Sequence, residues 1–455
     1  MKHFVGATRG QTTFMPYDIE EWLPQDHLAR FTVEIVDRLD FSRIYSQYRG
    51  TGTAAYDPKL LLALLFYGYS TGVFSSRKIE SATYDSVAFR FIAGNQHPDH
   101  DTIAGFRKRF LCEIKGWFKD ILLIGKELGL VKLGNVYLDG TKIHANASKH
   151  KAMSYEYMKR LEEQLESEIS KLLAIASSID EKEKPEKMDV PAELKRREER
   201  LEKIKQAKAV VEARATERYK LEKEEYDKKV KARSETEVRT GKKPKGRVPK
   251  EPENKPNESD QYNFTDPESR IMKTPSGFSQ CYNAQAAVNE DMIIVGGYSN
   301  DHGNDKAEFL SGIASVPVEL GAITAAVADT GYFSENNASK LPDGIVAVIA
   351  TCREHHNTYL ETVLNQEAGC VQTNDIGLPE QNMSVIDQMR RRLKIPKYNA
   401  IYKKRKQTVE PVFGIIKSVL GFRQFSLRGL INTDAEWSLV CLAYNLKRMF
   451  KMSMA

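Results

Sequence analysis

The chain has 455 residues, 29% of them charged, with a formal net charge of +6 and five scattered cysteines. That length allows two or three domains with proper cores, and an odd, scattered cysteine set argues for a reducing compartment and against a disulfide framework. The N-terminus lacks an apolar signal region, and no run reaches about 18 uninterrupted apolar residues, so a soluble cytoplasmic protein without a membrane partner is expected.

Residues 1–50 are mixed, with a helix expected from Pro24 to Leu39. Asp57-Pro58 then opens an apolar helix, since Asp suits the N-cap and Pro the first helical position; Gly68 and Gly72 mark its frayed end. Ser75 or Ser76 caps a second helix, and Asp99 or Asp101 a third. In the third, Ile103, Phe106, Phe110, Ile114, Trp117, Ile121 and Ile124 repeat at helical spacing until Gly129. Short helices joined by tight turns suit a helix-turn-helix DNA reader and an ordinary packing domain equally well.

Asn135 to Ser148 (NVYLDGTKIHANAS) reads as the first strand, ended by Asp139, with Gly140 allowing close approach of a backbone or ligand. From Lys151 to Arg233 the character changes. Leu161, Leu165, Ile169, Leu172 and then Leu194, Leu201, Ile204, Val211 repeat at coiled-coil steps among dense mixed charge, split by DEKEKPEKMDVP. This predicts an antiparallel helical hairpin. The segment from Thr240 to Gln261, rich in Lys, Pro, Glu and Asn, predicts a disordered return linker carrying Lys242, Lys243, Lys245, Arg247 and Lys250. Strand patterns resume at once, so the whole unit reads as an insertion.

Gly277–Val288 and Met292–Tyr298 predict two strands of a hairpin, followed by a helix capped by Asp305. The apolar runs ITAAVA (323–328) and IVAVIA (345–350) read as buried central strands, with Asp329 at the end of the first. The last helix, TDAEWSLVCLAYNLKRMF, carries an apolar stripe of Trp437, Val440, Cys441, Tyr444 and Met449.

The segment Arg390–Arg428 holds twelve Lys or Arg residues and a single acid, Glu410. Such a surface attracts a polyanion, with salt-sensitive binding to nucleic-acid phosphates. A carboxylate within it helps only if it holds a cation against a phosphate; the simple alternative is that it pairs Lys406 one turn away. The order of strands and helices is that of a ribonuclease-H-like α/β domain, in which acids at strand ends meet. Asp139, Asp329 and Glu410 could then hold two divalent ions about 3.5–4 Å apart for phosphoryl transfer.

VYLDGTKIHANAS, YNAQAAV, VADTGYF and KRKQTVEPVFGIIK resemble, in order, the signature segments of bacterial insertion-sequence DDE transposases, and YDPKLLLALLFYGY with DHDTIAGFRKRF resembles the helical N-terminal domain of the InsH-like group. The resemblance implies Asp139, Asp329 and Glu410 as the catalytic, metal-binding triad, with two Mg²⁺ ions for which Mn²⁺ can substitute. It implies a Tyr, a basic residue and a Lys beside the Glu, positions that Tyr402, Lys406 and Lys417 match, with Arg405 and Arg423 as further DNA-binding residues. Arg405 stands five residues before Glu410 where the pattern has four, so either Lys406 replaces it or the helix is irregular. Lys417 follows Glu410 by seven residues, two turns on, so both are expected to share a face, and Pro411 argues for a kink or a helix start at Glu410.

Other candidates take simpler readings. Cys352, His355, His356 and Cys370 lack the paired short spacings of a zinc site. Asn283 and Gln285 share a strand face and either contact the site or make ordinary sheet hydrogen bonds. Capping accounts for Asp305, and His144 reads as a solvent or core residue.

The fold expected is α/β: an all-α DNA-binding or dimerisation domain (1–130), a ribonuclease-H-like catalytic domain (131–150 and 256–455), and an inserted hairpin with linker (151–255). The function expected is a nucleoid-associated transposase that binds the terminal inverted repeats, cleaves the ends and transfers them to target DNA as a homodimer. A structure-selective nuclease and a catalytically silent DNA-binding descendant are the alternatives.

Overall fold

The computed structural model describes residues 18–48, 54–179, 189–241, 246, 248–351 and 383–454. The Cys352, His355, His356 and Cys370 set lies outside the described residues, as do Lys242, Lys243, Lys245 and Arg247 of the linker. Two compact units emerge, one from Met1–His144 with Tyr282–Ala455, the other from Ala145–Cys281.

The first unit begins with helices α1 (Leu28–Asp37), α2 (Ser42–Tyr45), α3 (Pro58–Ser70), α4 (Ser76–Asp85), α5 (Val87–Ile92), α6 (His100–Arg109) and α7 (Leu111–Glu127). Local chemistry sets several of their ends. The Asp57 carboxylate accepts the Lys59 N–H with Pro58 at the first position, and Asp99 accepts the Thr102 N–H at 2.6 Å. The helix expected after Ser75 is two, parted by extended Ser86 (φ −104°, ψ 123°), and the one expected through Gly129 breaks at Phe110 (φ −106°, ψ 25°). Side-chain periodicity survives such a break, which is why the sequence hides it.

Among the described residues there are eight strands: β1 (Asn135–His144), β2 (Ala152–Ser154), β3 (Gln261–Asn263), β4 (Arg270–Thr274), β5 (Gly277–Val288), β6 (Ile294–Asn300), β7 (Ala325–Ala328) and β8 (Val346–Ile349). The later helices are α8 (Tyr155–Ile179), α9 (Val190–Thr240), α10 (Glu308–Ala314), α11 (Glu335–Ser339), α12 (Val385–Lys394), α13 (Pro396–Gly414) and α14 (Leu430–Ser453). In the first unit the sheet runs β6-β5-β1-β7-β8. β5 and β6 are antiparallel, with a bulge at Ala287/Val288, and β1, β7 and β8 are mutually parallel. β7 is wholly buried, as an apolar run at the centre of a covered parallel sheet should be.

Helix α14 is buried without interruption from Ala435 to Leu446, where a single stripe was expected. It packs against β6 on one side and α3 and α7 on the other. The N-terminal helices and the sheet therefore share one core. Polar groups of α14 are used inside it: Trp437 Nε1 donates to the Gln285 carbonyl at 2.9 Å, and Asn445 pairs with both backbone groups of Ile294.

In the second unit, α8 and α9 pack through Met158, Leu161, Leu165, Ile204, Ala207 and Val211, the three- and four-residue spacing of a coiled-coil seam. The chain comes back to where it left: Ser154 pairs with Gln261, and the Tyr155 N–H donates to the Asp260 carbonyl at 2.7 Å. The disordered linker expected here is corrected for residues 248–260, which follow the second half of α9. Lys223 meets Glu251 at 2.6 Å, and Arg218 grips both oxygens of Asp260 at 3.0 and 2.9 Å. Long charged side chains on α9 supply partners that composition alone does not reveal. Among the described residues, no helix is long and apolar enough to cross a membrane.

Candidate active site

The parallel pairing of β1 with β7 sets Asn135 beside Ala325, Val136 beside Ala326 and Tyr137 beside Val327. The same offset carried on brings Asp139 level with Asp329, on neighbouring strands that lie about 4.8 Å apart where paired. Asp139 sits within β1, not at its end as expected. The strand continues to His144 because the segment after α13 takes over its pairing: His144 N–H donates to Arg423 O at 3.1 Å, and Phe425 N–H to His144 O at 2.8 Å. Asp329 does end its strand. Its carboxylate accepts the Gly331 N–H at 2.8 Å and so fixes the turn that follows.

Glu410 projects from α13, and its side chain is about half exposed (47%). Arg405, buried in the same helix, ties the acids together. One guanidinium nitrogen reaches Asp139 Oδ2 at 3.3 Å and another Glu410 Oε1 at 2.9 Å. Arg405 thus bonds Glu410 across five positions of a continuous α13, and Lys406 is exposed. Burial pushes the Asp139 carboxyl up to about 7; Arg405 opposes that shift, Asp329 adds to it, the Gly140 N–H opposes it, and Asp305 adds the rest.

Pro411 lies inside α13 and the helix runs through it, so of the two expectations the helix start at Glu410 is not seen. The irregularity comes later, as a π-helical turn over Ile415–Val419 closed by Leu420 N–H to Ile415 O at 2.9 Å. Lys417 sits in that wider turn, so the regular two-turn register with Glu410 does not hold. Its Nζ donates to the Lys142 carbonyl on β1 at 2.9 Å, and Arg423 Nε donates to the Lys417 carbonyl at 2.9 Å. Tyr402 is half-buried on α13.

The capping role expected of Asp305 is corrected. The residue at the cap position of α10 is Ala307, with no side-chain capping bond. The Asp305 carboxylate instead accepts Asn283 Nδ2 and Gln285 Nε2, both at 2.7 Å, and Lys142 Nζ stands 3.7 Å away. Asn283 and Gln285 thus point their amides at an acid rather than completing the sheet. Gly140 leaves them room: a Cβ there would meet Gln285 Nε2 and come within 2.7 Å of Asp305 Oδ1. Two amides alternating on a buried strand opposite a glycine were the sequence signal for this cluster.

Among the described residues, no three acids, histidines or cysteines converge as a ready metal cage. The donor chemistry nevertheless suits a hard divalent cation. Two carboxylates are level on adjacent strands, one of them pushed toward protonation by burial and its neighbour, and the Arg405 guanidinium carries positive charge that both feel. A cation would relieve the same crowding.

Fold and site together give a cluster of carboxylates around one buried arginine, set in a mixed α/β domain with a helical N-terminal region. Two family models match the chain: Transposase domain (DUF772) over residues 17–109 and Transposase DDE domain over residues 372–450. Both matches are to transposase families and support an insertion-sequence DDE transposase. No curated protein and no solved structure is detectably similar to it. The second match spans Arg405, Glu410, Lys417 and Arg423; Asp139 and Asp329 fall outside both.

Proposed function

We propose that the protein, an InsH-like transposase with a ribonuclease-H-like catalytic domain, binds the terminal inverted repeats of its element, cuts at the ends and joins the freed 3′-hydroxyls to target DNA. Two copies would act on a pair of ends. The reading rests on one arrangement: the parallel register of β1 with β7, carried on past its last pair, brings Asp139 beside Asp329, and Arg405 holds Asp139 and Glu410 at once. Asp139, Asp329 and Glu410 are the residues to hold Mg²⁺ or Mn²⁺. When bound, such ions supply charge stabilisation for the attacking and leaving oxygens of the phosphate.

The chain's own groups divide the remaining work. Lys406, Lys417, Arg423 and Tyr402 lie on or just after the helix that carries Glu410 and are assigned to the DNA backbone, where they would fix position without reading sequence. Arg405 already joins two acids, so it would reach a phosphate only by releasing one. Burial of Asp139 and Arg405 keeps water from screening the charges near the reacting phosphate.

The test is a set of purified variants on DNA carrying the element's ends. Asp139→Asn, Asp329→Asn and Glu410→Gln are each expected to lower Mg²⁺-dependent cleavage by at least about a thousandfold while gel-shift binding persists. A variant that cleaves at the wild-type rate removes its residue from the triad. Lys406→Ala is expected to weaken binding to all sequences and to flatten the salt dependence by about one unit for the phosphate it no longer neutralises.

A further inference from the structure

On the α10 side of β1 lies a polar cluster that the triad does not use. Tyr332, buried and three residues past Asp329, donates its hydroxyl to Gln285 Oε1. Gln285 donates its amide to Asp305 Oδ1 at 2.7 Å, and Asn283 donates to the same oxygen at 2.7 Å. A second tie runs beside this one. Asn337, also buried, donates from Nδ2 to the Lys306 carbonyl and to the Tyr332 carbonyl, both at 2.7 Å. The loop bearing Asp305 and the turn bearing Asp329 are therefore joined twice, once through the Gln285 side chain and once through the Asn337 amide, which bridges a backbone carbonyl of each.

The cluster is built around β1 itself. Gly140, next to Asp139, has no room for a side chain because Gln285 and Asp305 occupy the space. Lys142, two residues on, stands 3.7 Å from Asp305. Asp305 therefore touches the strand of one proposed ligand and connects, through two hydrogen bonds, to the turn of the other. Asp329 needs such support. It sits just past the last β7 residue, and its bond to the Gly331 N–H holds it only to its own turn.

We infer that Asp305, Gln285 and Tyr332 form a positioning relay that holds the Asp329 turn at a set distance from Asp139 on β1. This rests on the reading of Asp139 and Asp329 as metal ligands. The three residues touch neither substrate nor metal. They act by fixing where the two carboxylates stand, as outer-shell hydrogen bonds do in metal sites generally.

The test titrates the full-length protein with Mn²⁺ alone, following free Mn²⁺ by electron paramagnetic resonance, beside thermal unfolding in the absence of metal. Asp139→Asn is expected to lose most Mn²⁺ binding. Tyr332→Phe and Asp305→Asn are each expected to weaken Mn²⁺ about tenfold while the unfolding midpoint moves by no more than about 3 °C. If Tyr332→Phe lowers the midpoint further, Asp305→Asn carries the test, because it keeps a side-chain oxygen to accept from Asn283 and Gln285. It should bind Mn²⁺ weakly with its midpoint held. Wild-type Mn²⁺ affinity in Tyr332→Phe and Asp305→Asn, with binding lost in Asp139→Asn, would overturn the relay and leave the metal centre standing. Equal binding, or none, by wild type and Asp139→Asn would overturn the metal reading and the relay with it.

Discussion

Arg405 is the residue on which most of the site's electrostatics turns. With its side chain 11% exposed, it neutralises Asp139 and Glu410 together. Removing one partner from a buried pair strands the other, so Arg405→Ala should cost about 1–3 kcal/mol in denaturant unfolding, reduced from the fully buried case because Glu410 is wetted. Asp139→Asn in the same background should recover part of that loss, and strict additivity in the double-mutant cycle would show that the two do not interact. Gly140→Ala is expected to destabilise by about 1–3 kcal/mol through overpacking against Asp305 and Gln285; an unchanged urea midpoint would mean the cluster yields easily. Glu436, fully buried on α14, accepts N–H bonds from Ser426 and Leu427, each at 3.0 Å. Burial raises its pKa, against the opposing Leu427 N–H and Arg107. A carboxyl raised in the folded state favours folding while protonated and loses that contribution as pH rises through the folded value. As pH rises above the usual carboxylate range, the difference in unfolding midpoint between Glu436→Gln and wild type should therefore move in favour of Gln. A difference that stays flat with pH would contradict this.

At the scale of elements, α13 and the π-turn after it decide how the basic segment meets the strands. Pro411 deprives the Gln407 carbonyl of its helical donor, yet the helix holds because Thr408, Val409, Val412 and Phe413 are buried along it. Packing here outweighs local propensity. The turn at Ile415–Val419 then swings Lys417 back onto the Lys142 carbonyl. Pro411→Ala restores the missing N–H and should raise stability by about 1 kcal/mol. If the strained register matters for DNA, the same variant should also nick plasmid DNA more slowly. Greater stability with undiminished nicking would mean that the proline serves packing alone.

At the scale of the molecule, the α8–α9 hairpin leaves and rejoins the second unit at one place, since Ser154 and Gln261 are the closing pair of β2 and β3. A two-residue hairpin turn can bridge such a pair. Replacing residues 155–260 with Asn-Gly should remove the α8–α9 helical signal in circular dichroism. The remaining chain is expected to unfold cooperatively within about 5 °C of the parent, because α14 and the sheet have their own core. Loss of cooperative unfolding would show that the remaining chain cannot stand without the hairpin.

What the sequence determined by itself was local or periodic. Asp57 and Asp99 capped their helices because an acid before a helix bonds the nearest free N–H. The apolar runs at 323–328 and 345–350 supplied the parallel strands Ala325–Ala328 and Val346–Ile349, because a sheet covered on both faces takes apolar side chains. The basic segment with its lone acid, and the ordered motifs around it, were enough to indicate a DDE transposase. The tertiary structure decided everything that depended on partners distant in the chain. Arg405 meets Asp139 from 266 positions away, and no spacing rule carries that. Asp305 read as a cap because its neighbours in sequence are a helix start; its neighbours in space are two amides from β5 and a lysine from β1. A side chain's local alternatives can be read from its own stretch, but the bond it makes depends on which strand the fold lays beside it.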